Sequence, residues 1–205
     1  HLQRNTSFEN VVFSDESWFE LGPDNRWVWR KENDFRSEVC MCHQKHTPKF
    51  MVWGAIGKDF KSELVIFEEN VTADVYIEQV IYGSNLIFDA DDHYGDDRWV
   101  FQQDNARPHI ALKTMEHLRD LHVRLLANWP PYSPDLNIIE VVWAIMKRRL
   151  NAIQARTLAD VKRVVLQVWE DLSFETINNL VEQMPKRMKA LVNKNGETVF
   201  LNELE

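Results

Sequence analysis

The segment from Val11 to Leu21 places the strongest constraint on the fold, because its residues alternate as those of a half-buried β-strand do. Val11, Phe13, Phe19 and Leu21 share one face of that strand with Asp15, so a carboxylate projects from a largely apolar surface. A carboxylate in such surroundings is costly unless a cation or a hydrogen-bond donor satisfies it. The segment therefore predicts a sheet that carries a partnered acid, and an Asp that merely ends the strand at a turn is the simpler alternative.

The rest of the chain predicts a mixed β-sheet with α-helices on both faces, formed as a single domain over residues 1–205. Further strands are expected at Trp27–Trp29, Phe50–Ile56, Glu63–Phe67, Arg98–Gln103 and Val123–Leu126. Helices are expected at Thr72–Phe88, Pro108–Leu121, Pro134–Leu150 after a Ser133 cap, Thr157–Leu172 and Ser173–Asn193. An acidic loop is expected to follow the first helix, and Pro185 is expected to break or kink the last one.

Composition excludes several other classes of protein. Hydrophobic residues make up 44% of the 205 residues, which favours a globular core over a disordered chain. No apolar run is long enough to span a bilayer, so no membrane partner is expected. Cys40 and Cys42 are too close together for a disulfide framework, and with His43 and His46 they lack the second cysteine pair of a structural zinc site.

Two more acids stand where a functional site is expected. Asp104 follows a predicted strand, and Glu140 lies near the start of a predicted helix, whose partial positive charge favours anions. Three carboxylates brought together by a fold could hold two divalent cations, which are able to break and rejoin phosphodiester bonds. Taken singly, Asp104 is equally well explained as a turn residue beside Asn105, and Glu140 as part of a solvated helix face.

Several short motifs, taken together and in this order, resemble the catalytic domain of mariner-type DDE transposases of the Tc/mariner superfamily. They cover nearly the whole chain: Val12-Phe13-Ser14-Asp15-Glu16-Ser17, Met51-Val52-Trp53-Gly54, Gln102-Gln103-Asp104-Asn105, Pro108-His109, Trp129-Pro130, Ser133-Pro134-Asp135-Leu136-Asn137, Glu140, Met184-Pro185-Lys186-Arg187 and Asn195-Gly196. Thirty-five residues separate Asp104 from Glu140, one more than is usual in close relatives. The resemblance implies an RNase H-like α/β fold, a central mixed sheet flanked by helices.

The resemblance also implies a catalytic mechanism. Asp15, Asp104 and Glu140 are the expected catalytic and metal-binding residues, and together they are expected to hold two Mg²⁺ or Mn²⁺ ions. The expected reaction is hydrolytic cleavage at transposon ends, followed by transfer of the 3′-hydroxyl into TA target DNA. Two other functions stay open: a domesticated or decayed copy that binds DNA or protein without cutting, and an RNase H-like host nuclease.

Further roles follow from the same resemblance. Asn105, His109 and Asn137 are expected to line the site or orient its ligands. Lys147, Arg148 and Arg149 are candidates for contacts with DNA phosphates, although cations near a helix end also suit the helix dipole. The net charge of −8 is unusual for a nucleic-acid enzyme, but it divides into −10 for residues 1–104 and +2 for residues 105–205.

The partners and the wider organisation are also implied. The partners are double-stranded DNA, as transposon inverted-repeat ends and TA target, and a second copy of the protein in a synaptic dimer. Residues 22–48 are expected to form a clamp-like insertion, and a helix-turn-helix DNA-binding region is expected to precede this chain. A eukaryotic protein of this kind is expected in the nucleus.

Overall fold

The computed structural model describes residues 8–22, 47–127, 129, 136–153 and 155–193. The strands are β1 (Val11–Glu20), β2 (Lys49–Gly57), β3 (Phe60–Lys61), β4 (Val65–Phe67) and β5 (Val100–Gln102). The helices are α1 (Ala73–Val75), which continues as the π-helix Tyr76–Tyr82, then α2 (Leu86–Tyr94), α3 (Arg107–Ile110), α4 (Leu112–Asp120), α5 (Ile139–Ala152), α6 (Leu158–Glu170) and α7 (Phe174–Asn193). None of these helices is long and apolar enough to cross a bilayer.

The sheet is mixed and has β1 in its interior. Its order is β3-β2-β1-β5, with β4 also paired to β2. β1 runs antiparallel to β2 and parallel to β5, with Phe13 opposite Gln102 in the parallel pair. On the other side of β5, Phe101 forms a single parallel bridge to Leu125. The predicted strand Val123–Leu126 is thus reduced to this one bridge.

The two faces of the sheet are buried under different helices. Side chains of β1 alternate between the faces: Val11, Phe13 and Phe19 pack against α5, α6 and α7, whereas Val12 packs against the π-helix, α2 and α4. This alternation has the period of two that the sequence pattern predicts for β1. The mixed sheet with helices on both faces, predicted from the order of the elements, is therefore confirmed.

Two predicted helices are interrupted in the structure. The helix expected at Thr72–Phe88 stops at Tyr82, because Asn85 takes a left-handed backbone conformation, and α2 then occupies part of the expected acidic loop. α2 forms there because Leu86 and Ala90 lie on one face and are buried in the core. The helix expected at Pro108–Leu121 is divided at Ala111, whose backbone is extended in ψ.

Of the three long helices near the C-terminus, the bounds of α6 and α7 were predicted more closely than those of α5. α5 starts at Ile139 and not at Pro134, since Leu136, Asn137 and Ile138 precede it outside helical structure. α6 follows the predicted Thr157 cap. α7 continues through Pro185, so the proline does not end the helix. The predictions for Trp27–Trp29, Ser133, Pro134, Cys40, Cys42, His43, His46 and nearly all of the 22–48 insertion lie outside the described residues.

Candidate active site

Asp15 and Asp104 lie side by side because of the register between two parallel strands. Phe13 pairs with Gln102, and both acids follow two residues later along their strands. The Gln102 side chain extends this pairing beyond β5: its Oε1 accepts a hydrogen bond from the Ser14 backbone N–H (3.2 Å), and the Ser14 hydroxyl donates to the Gln102 carbonyl (2.8 Å). The two acids therefore start from neighbouring backbone positions that are tied together by buried polar groups.

Asn137 holds Asp15 from the other side. It is buried just before α5, and its Nδ2 donates to the Ser14 carbonyl (3.0 Å) and approaches Asp15 Oδ2 (3.4 Å). Asp15 Oδ1 accepts a hydrogen bond from the backbone N–H of Glu16 (2.8 Å). The hydrogen bonds of Asn137 join the start of α5 to the middle of β1. They bring the first turn of α5, which carries Glu140, to the same site.

Asp104 is held by the short helix that follows it. Its Oδ1 accepts a hydrogen bond from the Ala106 backbone N–H (2.8 Å), the local Asx-type contact that favours a turn after a strand. Pro108 then lies at the start of α3, and α3 returns His109 to the same oxygen, with Nδ1 at 2.6 Å from Oδ1. On its other side the His109 ring approaches Glu16, with Nε2 at 3.1 Å from Oε1.

The electrostatics of Asp15 reveal a crowded set of acids. Burial, followed by the negative charges of Glu140, Glu16 and Asp104, raises the pKa of Asp15 to about 8, against the hydrogen bond from Glu16 N–H that lowers it. The charges of Glu140 and Asp104 act on Asp15 although these residues are far apart in sequence. The structure thus brings the three predicted acids within electrostatic reach of one another.

The Asp104 and His109 pair behaves in the opposite way. The hydrogen bond from His109 lowers the pKa of Asp104, against the effect of partial burial. Burial lowers the pKa of His109, but the hydrogen bonds to Asp104 and Glu16 and the charges of these acids outweigh it and raise that pKa to about 10. The ring therefore carries a positive charge at neutral pH and lies between two carboxylates.

The donor set suits a hard divalent cation, although the described residues contain no group of three or more acids, histidines or cysteines arranged closely enough to hold one as they stand. Within the part of the chain that the structure describes, both hydrogen bonds to the Asp104 carboxylate fall on Oδ1, which leaves Oδ2 to bind a cation. Burial is the largest cause of the raised pKa of Asp15, and the negative charges of Glu140, Glu16 and Asp104 raise that pKa further. A cation would offset these negative charges.

The other predicted site residues divide into two groups. His109 and Asn137 contact the acids directly. Asn105 is exposed and its Nδ2 lies 3.5 Å from the Trp129 carbonyl, away from the carboxylates. Lys147, Arg148 and Arg149 are exposed on α5, where the Lys147 ammonium lies 5.7 Å from the centre of the Phe19 ring.

Two contributors were missed by reasoning from the sequence. Glu16 belongs to the same motif as Asp15 but occupies the opposite face of β1, and only a partner on α3 gives it a role. Gln102 is fully buried at the end of β5 and continues the strand pairing with its side chain. A polar residue at the end of an apolar strand was the available signal for Gln102, whereas no local signal indicates the partner of Glu16.

A mixed sheet of this order, flanked by helices and carrying acids in β1, just after β5 and at the start of α5, is the arrangement of an RNase H-like catalytic domain. A family model described as "DDE superfamily endonuclease" matches residues 10–164, which is most of the chain. Among solved structures, the pre-cleavage Mos1 transpososome has a TM-score of 0.78 at 20% identity, over 96% of this chain and 59% of that one. The mariner Mos1 paired end complex with Mg has a TM-score of 0.72 at 20% identity, over 96% and 58%.

Curated relatives are more similar in sequence. The chain is 30% identical over 200 residues to the Tc3 transposase of Caenorhabditis elegans, covering 95% of this chain and 59% of that protein. It is 34% identical over 190 residues to the Tc1 transposase of the same organism, covering 90% and 68%. The chain therefore belongs to the DDE superfamily endonucleases and is homologous to the transposases of the Tc1/mariner superfamily. The predicted family and the RNase H-like fold are confirmed.

Proposed function

We propose that this chain is the catalytic domain of a metal-dependent DNA transposase, which cleaves DNA at transposon ends and transfers the resulting 3′-hydroxyl into TA target DNA. The observation that carries the proposal is that the charges of Asp104 and Glu140 act on Asp15: Asp15 lies in β1, Asp104 lies two residues after the adjacent parallel strand β5, and Glu140 lies in the helix that Asn137 ties to β1. The Tc3 and Tc1 relatives, which are transposases, support the proposal.

In this proposal Asp15, Asp104 and Glu140 bind two Mg²⁺ or Mn²⁺ ions. When bound, such ions activate an attacking hydroxyl and stabilise the leaving oxygen of a phosphodiester. The protein's own residues prepare these ligands. His109 keeps Asp104 ionised, and Asn137 orients Asp15. The Asn137 Oδ1 atom is buried and has no hydrogen-bond partner among the described residues.

DNA is the proposed partner of the exposed face of α5. Lys147, Arg148 and Arg149 follow Glu140 by two turns or more on that helix, and no ion pair occupies them within the described parts of the chain. Three exposed cations on the helix that carries Glu140 would attract phosphates of a duplex that enters the site. The Mos1 structure named as a paired end complex with Mg supports both a DNA partner and a divalent metal.

The wider organisation is proposed on the same basis. The chain spans 59% of the length of the Tc3 relative. The activity of a whole transposase is therefore a proposal. A single catalytic domain over 1–205, a clamp-like insertion at 22–48, a preceding helix-turn-helix region, a synaptic homodimer and a nuclear location stay predictions. Co-purification of two copies on one pair of transposon ends would test the dimer.

Nicking of DNA separates an active nuclease from a binding module. Purified protein is incubated with supercoiled plasmid DNA carrying the element's ends, with Mg²⁺, with Mn²⁺ or with EDTA. We expect metal-dependent nicking that is lost in Asp104→Ala and kept in Asp120→Ala, a matched control because Asp120 is an exposed acid at the end of α4. Equal nicking by Asp104→Ala would exclude this residue as a ligand. Absence of nicking in the wild type, with DNA binding retained, would favour the binding module.

A further inference from the structure

Glu16 is an acid beside the site that is not among the three expected metal ligands. It follows Asp15 directly in β1, and because neighbouring residues of a strand point to opposite faces, its side chain lies under α3. There its Oε1 is 3.1 Å from His109 Nε2, and only 15% of the Glu16 side chain is exposed. A carboxylate that is nearly buried and faces a single partner is held by that partner.

His109 transmits this contact to Asp104. Its ring is 3% exposed and has a carboxylate at each nitrogen, Glu16 at Nε2 and Asp104 at Nδ1. Because both nitrogens face acceptors, both donate, and a ring fixed at two ends cannot rotate without breaking a hydrogen bond. Tyr76 packs against one side of the ring, with ring centres 4.4 Å apart.

The backbone beneath His109 is fixed as well. Gln103 Nε2 lies 3.3 Å from the His109 carbonyl, and Gln103 Oε1 accepts a hydrogen bond from the Tyr76 hydroxyl (3.0 Å). The ring can therefore move only by rotation of its own side-chain bonds, and its hydrogen bonds to Glu16 and Asp104 oppose this rotation. The direction of the Asp104 carboxylate thus depends on a residue of the neighbouring strand.

We propose that Glu16 is a positioning residue that acts through His109 to hold the Asp104 carboxylate in the orientation in which Oδ2 binds metal. The inference rests on the proposed function, because it requires Asp104 to be a metal ligand. Partners of metal ligands commonly change metal affinity by about 10–100-fold when they are removed. The competing explanation is that Glu16 attracts cations only through its negative charge.

Two conservative variants separate these explanations. Glu16→Gln keeps the length of the side chain and an oxygen that accepts from Nε2–H, but removes the charge. Glu16→Asp keeps the charge but is one methylene shorter and does not reach His109. If Glu16 positions Asp104, we expect Glu16→Asp to weaken Mn²⁺ binding by about tenfold and Glu16→Gln to stay within about threefold of wild type.

The measurement is Mn²⁺ titration of the whole chain by isothermal calorimetry, with thermal unfolding to verify that each variant is folded. Glu20→Gln and Glu20→Asp are matched controls, because Glu20 lies on the same face of β1 but is exposed, and both should bind as wild type does. The inference is overturned if Glu16→Asp keeps wild-type affinity, or if Glu16→Gln loses as much affinity as Glu16→Asp.

A second comparison separates this inference from the proposed function. In an Asp104→Ala background, Glu16→Asp should cause no further loss of Mn²⁺ affinity, because the carboxylate that Glu16 positions is absent and the negative charge at residue 16 is kept. An additional loss of about tenfold in that background would overturn the positioning role. If Asp104→Ala alone binds Mn²⁺ as tightly as wild type, the metal site of the proposed function is wrong, whatever the Glu16 variants do.

Discussion

Replacement of Asp15 by Asn should make the metal-free protein more stable at high pH. Burial and three nearby acids raise the pKa of Asp15 to about 8, from 3.8. The folded protein thus retains a proton on Asp15 that the unfolded chain releases above about pH 4. The stability that this proton provides is complete below pH 4 and is lost as the pH rises through 8. Asn carries no charge at any of these pH values, so the variant avoids this loss.

The size of the effect follows from the same shift. Each pKa unit corresponds to 1.36 kcal/mol, so between pH 5 and pH 9 the wild type should lose at most about 4 kcal/mol more than Asp15→Asn. Rearrangement of side chains and water around the charge reduces this difference. A new amide nitrogen could also face Asn137 Nδ2, which lies 3.4 Å from Asp15 Oδ2 now, at a cost of about 1 kcal/mol at both pH values. We expect a difference of about 2 kcal/mol between the two pH profiles.

Urea unfolding monitored by tryptophan fluorescence, in EDTA at pH 5 and pH 9, measures this difference. Glu20→Gln serves as the control, because it removes an exposed carboxylate from the same strand and should follow the wild-type pH profile. Parallel profiles for the wild type and Asp15→Asn would refute the reasoning, since burial and the neighbouring acids would then not raise the pKa of Asp15 in the folded protein.

Three other predictions follow from the site and its support. Mn²⁺ affinity should rise by up to about tenfold per pH unit until about pH 8, because binding displaces the Asp15 proton. Calorimetry in two buffers with different ionisation enthalpies should detect the released proton, and constant affinity between pH 6 and 8 would contradict this prediction. Gly54→Ala should destabilise the fold by about 2 kcal/mol in urea, because a Cβ there would lie 2.8 Å from Trp169, whereas Gly22→Ala has open space and should cost much less. Thr157→Ala should cost about 1 kcal/mol through loss of the α6 cap and Thr157→Ser should retain it, so equal unfolding curves for both variants would argue against the cap.

Predictions that depend on neighbours along the chain were the most successful. The alternation in β1 gave the correct strand and face for Asp15, because a strand has a period of two wherever it lies in a sheet. The start of the helix predicted at Thr157–Leu172 was likewise set locally, by a Thr157 cap that the structure extends to a capping box with Asp160. Helix breaks were missed at Asn85 and Ala111, since short apolar stripes continue across them and tertiary packing decides where a helix stops.

The sequence by itself determined the kind of chemistry available: three carboxylates at strand and helix ends, which are ligands for hard cations, within an order of elements typical of a mixed sheet. Only the tertiary structure decided which groups act on one another. Parallel register placed Asp15 beside Asp104, and α3 brought His109 to Glu16, 93 residues away in the chain. The pKa of about 8 for Asp15 likewise depends on burial and on charges from two other segments, those of Glu140 and Asp104, besides the charge of its neighbour Glu16. Coulombic interactions and hydrogen bonds depend on distance in space, and no pattern of neighbouring residues specifies that distance.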